Sequence, residues 1–220
     1  DVGQQISDEG GANGKEKLLV RYLRSRGREY SLKEAIRAPL YYGILINSIA
    51  RYMSYYGVIS HLLIHTQQRG LDVATGSLIL SVLSLGNLSG RFIAGFVGEK
   101  RLLPQHSLLL AGITMTLATL LLAMPAGHVG LALGGLLTGF SLGFGSLMQA
   151  VAVSFSFGNK EFPKIYGSMT PIFNIGGAIG PILAGMMASY LGNYTLVLYL
   201  FTIFNLLSSV LLLFVHPQES

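Results

Sequence analysis

Two arginines stand where the surrounding residues call for hydrocarbon. Arg91 lies in "GNLSGRFIAGFVGEKR", residues 86–101, and Arg51 lies in "ILINSIARYMSYYGVISHLLIH". A guanidinium does not deprotonate, and at the centre of a bilayer it costs about 2.5–3.5 kcal/mol on insertion scales. Something must compensate each charge. For Arg91 the options are an anionic substrate, backbone carbonyls, water in a cavity, the cytoplasmic interface, or pairing with Glu99 or a carboxylate elsewhere. No Asp or Glu falls inside the apolar runs. Asn87, one turn before Arg91, can hold the guanidinium or face the same cavity, and Ser77, Ser81 and Ser84 extend a polar face along that helix.

Around Arg51, the residues Asn47, Ser54, Tyr55, Val58, His61 and His65 share one side of a helix at 100° per residue. This mostly polar stripe predicts a face turned to the protein interior or to a cavity, with Tyr52 and Tyr56 flanking it. His61 and His65 are the titrating groups within or near the runs on this side, hence candidates for proton coupling; a plain position at an outer helix end is the alternative. Further polar groups come from Ser141, Ser146, Gln149, Tyr166, Thr170 and Asn174. Anion binding is therefore the chemistry the residue types favour, with Arg91 foremost and Arg51, Asn47, Tyr55, Asn87, Gln149 and Asn174 as companions.

Catalytic, metal and cofactor chemistry find little support. "GFSLG", residues 139–143, matches the Gly-x-Ser-x-Gly elbow, but that motif needs a strand-turn-helix corner with histidine and acid partners. The nearest histidine, His128, lies on the same expected helix. There is no cysteine, so thiolate metal sites, thiol nucleophiles and disulfides are excluded. No paired carboxylates occur in the runs, and neither a His-Glu-x-x-His motif nor a phosphate-binding loop is present. No enzyme activity, metal or cofactor is expected.

The elements that must position these residues follow from composition. Hydrophobic residues make up 51% and charged residues 11% of the 220, against about 25% charged in globular domains. Six apolar segments, 40–65, 73–98, 106–124, 128–157, 165–191 and 194–215, each reach the ~20 residues that a spanning helix needs. Eight of the fifteen Lys and Arg lie before Pro39. Joined by Lys100, Arg101, Lys160 and Lys164, they define a cytoplasmic side, with Arg69 outside and both chain ends cytoplasmic. The net charge of +5 is thus a topology signal, and no nucleic-acid partner is expected. Residues 1–38 read as a polar, Gly-rich cytoplasmic linker ending in a short interfacial helix, with the Ser-x-x-Glu capping box at Ser31 and Glu34. The membrane domain is 39–220.

An internal repeat is visible. "GNLSGRFIAG" from Gly86 aligns with "GGAIGPILAG" from Gly176, matching Gly90 with Gly180, Ala94 with Ala184 and Gly95 with Gly185. Small residues four apart permit close helix approach. Their position in the second and fifth segments predicts a three-plus-three inverted repeat. Pro171 and Pro181 bracket "NIGGAIG" in the fifth segment, an interrupted helix able to turn carbonyls toward a solute.

These residues resemble a known family. "GRFIAGFVGEKR" is similar to the degenerate second copy of the major facilitator loop motif, although Gly98-Glu99 stands where a small residue and Asp are usual. "YYGVISHLLIHTQQRGLDVATGSLILSVLSLGNLSGRFIAGF" is similar to helices seven and eight of monocarboxylate-transporter-like and oxalate/formate-antiporter-like members. "GNKEFPKIYGSMTPIFNIGGAIGPILAG" resembles the start of helix eleven. The resemblance implies an all-α membrane protein, the carboxyl-terminal six helices of a twelve-helix secondary transporter in the plasma (bacterial inner) membrane. Its partners would be the amino-terminal six-helix half, a small organic anion such as a monocarboxylate, and a proton or counter-anion. It also implies that Arg91 receives the substrate carboxylate. Asn87 replaces the aspartate frequent in monocarboxylate transporters, and the fifth segment has no lysine beyond Lys164 at its start, which disfavours oxalate. A non-transporting scaffold or receptor on the same fold is the alternative.

Overall fold

The computed structural model describes residues 29–101 and 104–215. The expectations for residues 1–28, for the tail 216–220 and for the side chains of Glu99, Lys100 and Arg101 lie outside the described residues. Among the described residues all regular structure is helical: α1 (Leu32–Arg37), α2 (Pro39–Gln68), α3 (Val73–Arg101), α4 (Pro104–Ala123), α5 (Gly127–Phe157), α6 (Phe162–Leu191) and α7 (Thr195–Phe214).

The short helix α1 starts where the capping box demands. The Ser31 amide donates to Glu34 Oε2 at 2.8 Å, and the Glu34 amide donates to Ser31 Oγ at 3.4 Å. α1 docks on the α5–α6 turn, because the Leu32 amide donates to Glu161 Oε2 at 2.8 Å and the Tyr30 amide to Phe157 O at 3.0 Å. Ala38 is extended and Pro39 opens α2, in keeping with the bias of a residue before proline away from the helical region. At the opposite end of the bundle Arg69 donates to the carbonyls of Ala123 and Met124. A cation there satisfies orphan acceptors at the C-terminus of α4.

Five of the six long helices, α3 to α7, are long and apolar enough to cross a membrane. The sixth, α2, has the length at 30 residues but not the apolarity. The reason is where its polar groups go: Asn47, Ser48, Arg51, Ser54 and His65 are buried inside the bundle, so the polar side of α2 is turned inward. Pro171 and Pro181 do not break α6, which runs unbroken from Phe162 to Leu191. Each proline removes its own amide donor and crowds the carbonyl four residues earlier, and the helix ends at Gly192, in the left-handed conformation that glycine adopts freely.

The repeat expected from sequence is built into the packing. α3 crosses α5, with Gly86 against the Leu136 carbonyl and Gly90 against the Phe140 carbonyl; α6 crosses α2, with Gly176 against Ile49 and Gly180 against the Met53 carbonyl. A Cβ at any of these glycines would collide with its neighbour, so the small residues set the interhelical distance. The second helix of each triplet packs on the first helix of the other. This exchange relates α2–α4 to α5–α7 as two copies of one motif, running in opposite senses because each contains an odd number of helices.

Candidate functional site

Arg51 is fully buried between α2 and α5. Its Nη1 donates to Asn47 Oδ1 at 2.9 Å, and its Nη2 donates to Gly145 O and Gln149 Oε1, both at 3.3 Å. Gly145 makes the seat, since a Cβ there would lie 2.7 Å from Arg51 Cζ. All three acceptors are neutral. Among the described residues, Arg51 Nε, Asn47 Nδ2 and Gln149 Nε2 are buried without a hydrogen-bond partner, leaving a region rich in donors and positive charge with no carboxylate bonded to it. Burying a charge this way is tolerable only because the local acceptors are close and oriented.

Neutral polar contacts continue the interior. Asn205 Nδ2 donates to Ser54 Oγ at 2.6 Å, Thr119 and Thr202 share a hydrogen bond of 2.9 Å, and Ser141 Oγ donates to Ala111 O at 2.7 Å. Sequence reading missed Asn205. The available signal was a lone amide in the otherwise apolar "TLVLYLFTIFNLLSSV". Ser141, the serine of the elbow-like motif, sits mid-helix with its hydroxyl committed to a backbone carbonyl, and no histidine contact is formed.

Arg91 shares with Arg51 an asparagine partner one turn earlier but not its burial. It is exposed on α3, and its Nε donates to Asn87 Oδ1 at 3.0 Å. This bond fixes the plane of the guanidinium, and among the described residues both Nη groups remain without a partner. Tyr52, half-buried, follows Arg51 directly on α2. Around it the rings of Tyr52, Tyr56, Tyr166 and Phe173 form a cluster, with centroids 4.7 Å apart for Tyr52–Phe173 and 6.2 Å for Tyr52–Tyr56. The phenol hydroxyls of Tyr52, Tyr55, Tyr56 and Tyr166 form no hydrogen bond among the described residues, so these donors are available.

The sequence candidates thus divide into groups. Arg51, Asn47 and Gln149 meet inside; Arg91 and Asn87 meet on the exposed face, with Tyr55 half-buried near them. Asn174 is exposed on α6 and contacts neither arginine. His61 and His65 lie at the Arg69 end, where their Nε2 atoms are 3.1 Å from Pro181 O and 2.9 Å from Leu122 O. The ring of Tyr194 stacks on His61 at 5.0 Å. The cavity they border measures about 20 Å³, room for a water molecule at most.

Residues 21–220 match the family described as Major Facilitator Superfamily. A stretch of 138 residues is 30% identical to monocarboxylate transporter 13 of Rattus norvegicus, covering 61% of this chain and 32% of that protein, and the same figures hold for monocarboxylate transporter 13 of Bos taurus. The aligned part therefore spans about a third of the length of these relatives.

Proposed function

The chain belongs to the Major Facilitator Superfamily, and from that premise we propose that it is the carboxyl-terminal half of a secondary transporter that moves a small organic anion, a monocarboxylate, by alternating access. The observation that carries this reading is the state of Arg91. Among the described residues it is exposed, held at Nε by the neutral Asn87, and bonded to no carboxylate. A guanidinium with two free Nη groups is suited to bidentate carboxylate recognition. The name of the similar rat and bovine proteins supports the same substrate class. Multi-pass insertion follows from the family and the apolar helices.

In this reading Arg91 contacts the anion, Tyr55 and Asn87 support it, and Asn174 contributes from α6 when the amino-terminal half closes over the site. Arg51, with Asn47 and Gln149, raises the positive potential beneath the tyrosines and holds α2 to α5. His61 and His65 are the proposed proton-coupling groups, proton symport and anion exchange being the two modes of energisation. The cytoplasmic side is the end that carries α1, in the plasma or bacterial inner membrane.

The test is uptake of a labelled monocarboxylate by the complete transporter in proteoliposomes. Arg91→Gln keeps the amide partner for Asn87 but removes the charge, and uptake should fall at least 100-fold with membrane insertion unchanged. Uptake retained within a factor of three by the inserted variant would sink the site assignment.

A further inference from the structure

Resting on the proton-coupled transport reading, we infer that His61 is the ring that takes up and releases the proton, at Nδ1, and that His65 beside it is a fixed neutral donor. Both Nε2 atoms lie at hydrogen-bond distance from a backbone carbonyl, Pro181 O for His61 and Leu122 O for His65. A carbonyl only accepts, so in each neutral ring the proton sits on Nε2 and the basic lone pair on Nδ1. His61 Nδ1 is buried and has no partner among the described residues. A buried acceptor left open costs stability, and a proton-carrying role explains why it is kept.

The surroundings of the two rings separate their roles. His61 is half-buried, whereas His65 is only 3% exposed. The ring of Tyr194 stacks on His61, with centroids 5.0 Å apart and planes inclined by 27°, but stands at 88° to His65 at 6.3 Å. A stacked aromatic face attracts a cation, so His61 has a seat for its charged form. His65 already has a cation beside it: Arg69, one turn on, donates to Ala123 O, the carbonyl next to the one that His65 occupies. A second charge there would be both buried and next to a like charge. Among the described residues the titratable groups lining the cavity are His61, His65 and Tyr194, while α4, α6 and α7 contribute only apolar side chains to it.

A proton added at Nδ1 reaches α6 through the ring. The imidazolium keeps its Nε2–H on Pro181 O and donates as a charged group, a hydrogen bond about twice as strong as the neutral one. Pro181 follows Gly180, where α6 lies against the Met53 carbonyl of α2. Charging His61 therefore tightens the α2–α6 crossing at the end opposite α1, and losing the proton loosens it. Protonation gains a differential contact between helices, which is what coupling to a conformational change requires.

The experiment has two arms on the complete transporter. Nitrogen NMR of the histidine-labelled protein in detergent, from about pH 5 to pH 8, follows both rings, with His61→Gln and His65→Gln assigning the signals. His61 should pass from the neutral Nε2–H form to the imidazolium, and His65 should stay neutral throughout. Titration of His65, or a His61 that stays neutral, overturns the inference. In proteoliposomes, uptake of labelled lactate, pyruvate and butyrate is measured at an external pH of about 8 and about 5.5, corrected for protein-free vesicles. For an acid that the wild type takes up through Arg91, the rate should rise about fivefold or more on acidification. His61→Gln keeps an amide donor for Pro181 O but has no site for a proton, and should cut that rise to less than about twofold. Arg91-dependent uptake with no rise in the wild type overturns the proton role of His61 and leaves anion transport standing. So does a rise kept by His61→Gln or lost by His65→Gln. Uptake of none of the acids, equal to that of Arg91→Gln, overturns the carboxylate reading and the coupling role with it.

Discussion

The α3–α5 crossing and the α2–α6 crossing are two versions of the same joint, and they differ where the chemistry lies. Both rest on a pair of glycines four residues apart, Gly86 and Gly90 in one, Gly176 and Gly180 in the other, facing equivalent turns of the partner helix. On the partner side the match ends. Tyr52 and Tyr56 of α2 stand where α5 has Gly139 and Gly143, and Arg51 stands where α5 has Thr138. On the glycine-bearing helices, Arg91 and Asn87 of α3 correspond to Pro181 and Gly177 of α6. Bulk is exchanged across the joint: Gly143 makes room for the Asn87 backbone, whereas Gly177 makes room for the Tyr56 ring. What the difference teaches is that the backbone crossings conserve the shape of the joint while the residues beside them are free to diverge. Both arginines and the tyrosine cluster occupy those divergent places.

Breaking the tighter joint should have the largest effect. A valine at Gly143 must push its Cβ into the Asn87 carbonyl, which is backbone and cannot rotate away; Gly143→Val is expected to cost more than about 4 kcal/mol and to abolish the monodisperse peak in size-exclusion chromatography. Next comes Arg51→Ala, which strips the acceptors of Asn47, Gln149 and Gly145 of their shared donor. A loss of about 3 kcal/mol, read as a lower thermal midpoint of the purified protein, is expected. An unchanged midpoint would mean that the buried arginine does not hold α2 to α5.

The looser joint should yield more easily. At Gly177 a Cβ meets the side chain of Tyr56 at 2.8 Å, and a ring can turn; Gly177→Ala is expected to cost about 1 kcal/mol or less in the same thermal assay. Equal losses from Gly143→Ala and Gly177→Ala would erase the distinction between the joints. The smallest effect lies at the end of the bundle. Hydrogen bonds from Lys164 and from the Leu32 amide hold the Glu161 carboxyl below its usual range. A depressed folded value means that the contact contributes above the unfolded carboxylate pKa of about 4.3 and is lost as pH falls through the folded value. A spin label at Lys33 on α1 should therefore gain mobility only below about pH 4.3, and Glu161→Gln should give that mobility at neutral pH.

The fold was largely legible in the residues. Six runs of sufficient length and the glycine repeat define a helical bundle because each rests on a local rule of length or size. The capping box of α1 was legible for the same reason. The sites were legible only in part. Arg91 beside Asn87 could be anticipated from a one-turn spacing on a single helix. The three acceptors of Arg51 could not, because Gly145 and Gln149 are almost a hundred positions away and nothing local marks them. Asn174 has the residue type of a site member but lies apart from both arginines within this bundle, so its proposed role depends on the other half.

By itself, then, the amino-acid order decided the number and length of the helices, their internal repeat and the presence of two cations in apolar surroundings, since those follow from periodicity and transfer energy along one chain. Only the tertiary structure decided which cation is enclosed by neutral acceptors and which is exposed, with Nη groups that have no partner among the described residues. That choice depends on which helix faces which, and it is set by glycines that let distant backbones touch and by the side chains those contacts leave uncovered.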